Sequence, residues 1–135
     1  MNGVHVRLRV GRERYAVPIE NVLEVAELGS LCALPGAGAG VLGVRNLRGQ
    51  VLPVFDLARV LAITADPVQP RVVVAEHAGR LAGLAVDEVT DVVALEGEAE
   101  QADADHLSGA ILEQGELVGI LDVERLFGAL AGQVA

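Results

Sequence analysis

Aromatic side chains are scarce in this sequence. Tyr15, Phe55 and Phe127 are the only aromatic residues among 135, and tryptophan is absent. Since 52% of the residues are nevertheless hydrophobic, a core must be built from valine, leucine, isoleucine and alanine. Valine and isoleucine favour strands, and a chain of this length buries about two thirds of its unfolded surface. These features predict a mainly β protein with its own core.

Positive charge and cysteine are also scarce. Ten basic residues face nineteen acidic ones, which gives a formal net charge of −9. A nucleic-acid-binding surface needs a basic patch, so nucleic acid is not an expected partner. Cys32 is the only cysteine and therefore forms no internal disulfide or cysteine metal cluster. We interpret it as a small buried or half-buried apolar residue.

Signals for secretion or membrane insertion are absent as well. The longest uncharged stretch, Leu28 to Val44, contains Pro35 and several glycines. A membrane helix needs about 20 continuous apolar residues without such breakers. The N-terminus has no basic segment followed by an apolar one. We therefore expect a cytoplasmic protein with no direct membrane insertion.

Alternating apolar residues and turn signals predict short strands along the chain. The predicted elements are strands at 4–10, 15–17, 22–28, 71–76, 80–86 and 89–95, a hairpin within 43–57 that turns at Arg48-Gly49, and a hairpin at 109–121 that turns at Gln114-Gly115. Helices are predicted at 57–61 and from 123 to about 130, with Asp56 and Asp122 as their N-caps. Residues 62–70 are predicted as loop, and the acidic residues 96–106 as a mobile loop with a short helical turn. Helices are too few for alternating βαβ units. Two small barrels fit this pattern, with one long sandwich as the competing architecture.

An internal repeat favours the two barrels. Residues 49–61 superpose without a gap on 115–127, with identical glycine, aspartate and arginine at three positions and a largely shared apolar pattern; Pro53 stands opposite Gly119. Residues 15–28 likewise match 82–95. The repeat predicts two related β subdomains, at about 15–61 and 82–127. Whether strands are exchanged between them stays open.

Positions that differ between the repeats are candidates for function. Glu24 corresponds to Asp91, but Arg48 corresponds to Gln114. We therefore predict an ion pair between Glu24 and Arg48, and an Asp91 that faces only Gln114. A guanidinium held by a carboxylate offers a rigid fork of donors to a partner protein. The alternative is an ordinary surface ion pair, which stabilises by less than about 1 kcal/mol.

The motif GVRNLRGQVLPVFDL (43–57), with segments 71–93 and 108–126, resembles the CheW family of bacterial chemotaxis. The resemblance implies a mainly β fold of two SH3-like five-stranded β-barrel subdomains that share a hydrophobic core, with short helices, in one domain at 1–135. It implies a non-enzymatic adaptor without cofactor. Its partners would be the regulatory domain of a CheA-type histidine kinase and the cytoplasmic tip of a methyl-accepting chemoreceptor.

The resemblance also implies a groove that binds the receptor's helical hairpin. The matching positions are Ile19, Val22, Glu24, Val25, Gly43, Asn46, Leu47 and Arg48. A bound helix needs an apolar floor and few charged anchors. Three aliphatic residues, Ile19, Val22 and Val25, suit the floor. Because Val22 and Val25 lie on opposite faces of an ideal strand, we expect at least one in the core unless a bulge intervenes.

Other functions have weaker support in the sequence. PGAGAG (35–40) lacks the spacing of dinucleotide and P-loop motifs. An acidic metal-dependent hydrolase using Asp103, Asp105 and His106 is conceivable from their proximity. A structural alternative is a self-associating or array-forming module in another CheA-like pathway.

Overall fold

Two five-stranded sheets make up most of the protein. A computed structural model describes residues 3–64, 70–95 and 106–134. The strands are β1 Gly3–Val10, β2 Glu13–Pro18, β3 Val22–Glu27, β4 Val41–Leu47, β5 Gln50–Asp56, β6 Arg71–His77, β7 Arg80–Val86, β8 Glu88–Leu95, β9 Leu107–Glu113 and β10 Glu116–Leu121. The helices are α1 Leu57–Val60 and α2 Val123–Val134, and a 3₁₀ turn spans Ile19–Asn21. The mainly β class is confirmed. The predicted acidic loop, up to residue 105, lies outside the described residues.

The two repeats exchange strands. Sheet A has the order β8-β1-β2-β10-β9, and sheet B has the order β3-β6-β7-β5-β4. Sheet A therefore combines β1 and β2 with three strands from the C-terminal half, and sheet B combines β6 and β7 with three from the N-terminal half. The joins are equivalent, because β2 pairs with β10 in parallel and β7 pairs with β5 in parallel. Each sheet thus depends on both halves of the chain.

The largest apolar cluster lies between the sheets. It contains residues of both sheets and both helices, including Leu8, Phe55, Leu84 and Leu126. A smaller cluster belongs to sheet A, and another, which includes Val74, belongs to sheet B. The arrangement of two sheets around one shared core is therefore as expected.

Hydrogen bonds connect β4, one edge strand of sheet B, to the other edge strand, β3, and to the segment that follows β3. Arg45 on β4 donates from Nη1 to the carbonyl oxygens of Glu27, at 2.8 Å, and Leu28, at 3.2 Å. The backbone of Cys32 bonds with Val44 in both directions, at 2.9 and 2.8 Å. Cys32 itself is exposed, so its interpretation as a buried apolar residue was wrong. Its backbone, and not its side chain, holds this segment to β4.

The recurring aspartates cap the helices, as predicted. The carboxylate of Asp56 accepts the Arg59 amide at 3.4 Å, and Asp122 accepts the Arg125 amide at 3.1 Å. Helix α2 continues four residues past the predicted end. The longer helix brings Gln133 onto the loop before β4, where its side chain accepts the Gly40 amide at 3.0 Å. No helix in the described parts of the chain is long and apolar enough to cross a membrane.

The mismatch of Pro53 and Gly119 has a packing reason. A Cβ atom on Gly119 would lie 3.1 Å from both the Tyr15 ring and the Leu107 side chain, so sheet A has no room for one.

Tyr15 is 9% exposed. Burial, together with the nearby charge of Glu13, raises the pKa of Tyr15 to about 12. The phenol therefore stays neutral in the core at physiological pH.

Candidate protein-binding site

The predicted ion pair forms at an edge of sheet B. Arg48 occupies the tight turn between β4 and β5, and its Nη2 donates to Oε2 of Glu24 on edge strand β3. The Arg48 side chain is 74% exposed, whereas that of Glu24 is 26% exposed. The half-buried carboxylate thus holds a guanidinium that remains largely open to solvent. This arrangement suits a donor for a docking protein.

A bulge on β3 decides which residues share a face. Val22 pairs with Ala75 and Val25 pairs with Val73, but Glu24 pairs with Val74 because the register shifts between Val22 and Glu24. Direct cross-strand partners point to the same face of a sheet. Ala75 and Val73 belong to the central cluster, so Val22 and Val25 face the gap between the sheets. The intervening bulge therefore brings both valines to one side of β3.

The aliphatic residues form a strip beside this edge. Ile19 is 41% exposed on the 3₁₀ turn before β3, and Val25 is 44% exposed. Val22 is half-buried and packs against the central core, which agrees with the expectation that at least one valine is core. Glu24 shares the opposite face with Val74 of the sheet B cluster. The apolar strip and the ion pair therefore flank β3 on its two faces.

The remaining motif residues lie close to the turn, with one exception. Asn46 is exposed, and its Oδ1 accepts the Gly49 amide at 2.8 Å. Leu47 is half-buried against the sheet B cluster. Gly43 is buried, and a Cβ atom there would lie 2.6 Å from the carbonyl oxygen of Cys32. The chain segment at Cys32 thus covers Gly43, which lies apart from the exposed ion pair.

The equivalent position on sheet A is occupied differently than predicted. Asp91 does not face only Gln114: it accepts two hydrogen bonds from Arg7, each at 2.7 Å. Arg7 also pairs with Glu113 on β9. Arg7 lies on β1 opposite Asp91, in the position that Val74 holds opposite Glu24. The acid on sheet A therefore already pairs with an arginine from a central strand, and the side chain of that arginine is only 20% exposed.

Arg7 and Glu113 were missed because their partners are remote in sequence. Arg7 and Asp91 are separated by 84 residues, and Arg7 lies before the repeated segment 15–28. A signal was present in the register: extending the alignment backwards places Arg7 opposite Val74. An arginine in one half and a valine in the other would have indicated a cation for Asp91.

Removing the Arg7–Asp91 contact should produce a pH-dependent loss of stability. The hydrogen bond from Arg7 lowers the pKa of Asp91, reinforced by the charge of Arg7 and opposed by partial desolvation. Because the folded-state pKa lies below the ordinary value of about 3.9, the pair stabilises the fold above about pH 5 and loses this effect as the carboxylate protonates below about pH 4. We expect Asp91→Asn to cost no more than about 1 kcal/mol at pH 7, since the acid is partly exposed.

Urea unfolding of the two proteins at pH 7 and pH 3 measures this difference. The gap in the free energy of unfolding between wild type and Asp91→Asn should narrow at pH 3. A gap that widens on acidification would contradict the assigned role of Arg7.

Residues suited to metal chemistry do not come together in the described ranges. Within 3–64, 70–95 and 106–134, no group of three or more histidine, cysteine, aspartate or glutamate side chains has a metal-binding arrangement. His106 lies in the turn before β9, while Asp103 and Asp105 are outside the described residues. The hydrolase hypothesis therefore gains no support from this part of the chain.

Comparison with known proteins identifies the family. Residues 5–131 match the model of the CheW-like domain. The chain is 31% identical to a probable chemotaxis protein CheW of Rhizobium etli over 140 residues, with 96% of this chain and 90% of the relative covered. It is 36% identical to protein FrzA of Myxococcus xanthus over 132 residues, covering 87% and 81%.

A solved structure agrees with the fold. The scaffolding protein TtCheW from Thermoanaerobacter tengcongensis superposes with a TM-score of 0.82 and 26% identity, covering 94% of this chain and 88% of that one. The predicted fold class of two β subdomains around a common core is thereby confirmed. The chain belongs to the CheW-like domain family and is a CheW-like scaffold protein of chemotaxis-type signalling.

Proposed function

We propose that this protein is a non-enzymatic adaptor that couples the cytoplasmic tip of a methyl-accepting chemoreceptor to a CheA-type histidine kinase. The receptor's helical hairpin would contact the apolar strip of Ile19, Val22 and Val25 and the ion pair at the edge of β3. One observation carries this proposal. Of two related acids, Asp91 pairs with Arg7, whose side chain is 20% exposed, whereas Glu24 pairs with Arg48, whose side chain is 74% exposed.

The chemistry of the edge suits a helical partner. Amphipathic helices bind through apolar side chains spaced along one face, supplemented by a few polar anchors. Two exposed aliphatic residues, Ile19 and Val25, would supply apolar contacts. In the described part of the chain, the one side-chain partner of Arg48 is Glu24, which it contacts through Nη2. The other N–H groups of Arg48 would donate to carboxylates or carbonyl oxygens of the receptor.

An adaptor also needs a second surface, and an exposed pair of leucines supports one on sheet A. Leu112 and Leu117 lie directly opposite each other on the β9–β10 hairpin. They are 71% and 62% exposed, which is unusual for two adjacent leucines. In the related hairpin, Asn46 occupies the position of Leu112. We assign this leucine pair to contact with the kinase's regulatory domain.

Sedimentation velocity with purified partners tests the proposal. The wild-type protein should form binary complexes with a receptor signalling fragment and with the kinase regulatory domain, and a ternary complex with both. Leu112→Asn, which introduces the residue of the related hairpin, should weaken kinase binding at least severalfold while receptor binding is retained. Failure of the wild type to bind either partner would contradict the proposed function.

The isolated protein provides the control for the structural alternative. Exposed leucines also suit self-association, which is the second candidate function. A net charge of −9 opposes contact between copies at low ionic strength. We therefore expect a monomer when the protein sediments alone. An oligomer that dissociates on Leu112→Asn, together with absent kinase binding, would favour the self-associating module instead.

A further inference from the structure

In the described part of the chain, three hairpins close with the same backbone turn. In each, two successive residues adopt left-handed conformations. Their φ angles are 48° and 85° at Arg48-Gly49, 52° and 78° at Ala78-Gly79, and 50° and 79° at Gln114-Gly115. This pattern is that of the type I′ turn, which matches the twist of paired strands. The protein therefore contains two internal controls for the turn that presents Arg48.

One of the three turns has an additional bond. The Oδ1 atom of Asn46 accepts the Gly49 amide at 2.8 Å. The amide of the second central residue is not used by the backbone bond that closes such a turn. Glu76 and Leu112 hold the place of Asn46 in the other hairpins, and neither bonds the following glycine amide in the described structure. Because those hairpins form without this bond, Asn46 is not required to make the turn.

The hydrogen bond between Asn46 and the Gly49 amide restrains the turn that carries Arg48. Arg48, like Ala78 and Gln114 in the other two turns, is a non-glycine residue with positive φ, a conformation that costs free energy relative to glycine. Turn tips of hairpins also have few buried contacts to restrain them. The acceptance of the Gly49 amide by Asn46, which we call the clamp, fixes the turn one residue beyond Arg48. Fixing the turn keeps the guanidinium in reach of Glu24 and lowers the entropy lost when a partner binds.

We propose that Asn46 is a positioning residue for Arg48. It acts by holding the Gly49 amide, and not by touching the docking protein itself. This inference rests on the proposed function, in which Arg48 contacts the receptor fragment. It explains why the hairpin tip with the exposed arginine carries a side-chain clamp that the tips at Ala78 and Gln114 lack.

Amide hydrogen exchange tests the clamp without any partner. After correction for intrinsic rates, the Gly49 amide should be about three- to tenfold more protected than the Gly79 and Gly115 amides. Asn46→Leu, which installs the residue of the β9–β10 hairpin, should remove this excess protection. Asn46→Asp should retain it, since a carboxylate oxygen also accepts the amide. Equal protection of the three glycines in the wild type would overturn the inference.

Titration calorimetry with the receptor signalling fragment tests the consequence. We expect Asn46→Leu to weaken binding about three- to tenfold, Asn46→Asp to retain most of the affinity, and Arg48→Gln to weaken binding at least as much as Asn46→Leu. If Arg48→Gln weakens binding and Asn46→Leu does not, the positioning role is overturned while the proposed receptor site stands. If Arg48→Gln binds as the wild type does, the proposed receptor site fails and the positioning role fails with it.

Discussion

Gly43→Ala is expected to lower the free energy of unfolding by roughly 2–4 kcal/mol, a large fraction of the stability of a domain this size. Two effects add. The backbone at Gly43 has φ of 153°, which side chains rarely adopt, and the new Cβ atom would lie 2.6 Å from the carbonyl oxygen of Cys32. That oxygen accepts the Val44 amide at 2.8 Å. If the Cys32 carbonyl moves away from the new Cβ atom, this hydrogen bond between the Cys32 segment and β4 is weakened.

Gly79→Ala is a control for positive φ without a steric contact. Gly79 also has positive φ, at 78°, but a Cβ atom there would meet nothing within 4 Å. This control should therefore cost only the backbone term of about 1 kcal/mol. Urea unfolding at pH 7 measures both variants. Equal losses at the two glycines would show that the segment at Cys32 does not press on β4 as described.

Arg48→Glu is expected to weaken binding of the receptor signalling fragment at least tenfold, or about 1.4 kcal/mol. The change removes the exposed donors and places a second carboxylate beside Glu24. The new carboxylate and Glu24 repel each other, and both repel a partner that presents carboxylates. The fold should survive, because the Arg48 side chain is 74% exposed and an exposed ion pair stabilises by less than about 1 kcal/mol.

Arg71→Glu is the matched control for this reversal. Arg71 begins β6 and pairs with Glu27, at the other end of β3, with an N–O distance of 3.7 Å. Its side chain is 49% exposed, so the variant makes the same charge change beside the same strand. Calorimetric titration should show near wild-type affinity for Arg71→Glu. Equal weakening by both reversals would indicate a nonspecific charge effect and count against a site at Arg48.

Local signals sufficed for much of the secondary structure. Asp56 and Asp122 were predicted as caps because a carboxylate before an apolar helix accepts first-turn amides, and both do so. Turns at Arg48-Gly49 and Gln114-Gly115 followed from glycine between alternating segments. Strand exchange was left open for a physical reason. Alternation locates a strand, but it does not say which remote strand will pair with it, as with β1 and β8.

The candidate site was only partly predictable. The contrast between the repeats predicts the Glu24–Arg48 contact, but it also predicts that Asp91 has no cation, whereas Arg7 supplies one. The bulge that turns Val22 and Val25 to one face was undetermined, because no glycine marks it in β3. The predicted burial of Cys32 was wrong. Cys32 is held in place by its backbone hydrogen bonds to Val44, and the type of side chain does not predict such bonds.

Mapping the receptor fragment by NMR on isotopically labelled protein is the most direct test of where docking occurs. In one titration, amide and arginine Nε resonances report the edge of sheet B at Glu24 and Arg48 and the corresponding edge of sheet A at Asp91 and Arg7. The largest shifts should fall on Ile19 to Val25 and on Arg48, with the resonances of Arg7 and Asp91 nearly unchanged. Shifts centred on Arg7, Asp91 and Glu113, with Arg48 unaffected, would contradict a single open site at the edge of sheet B.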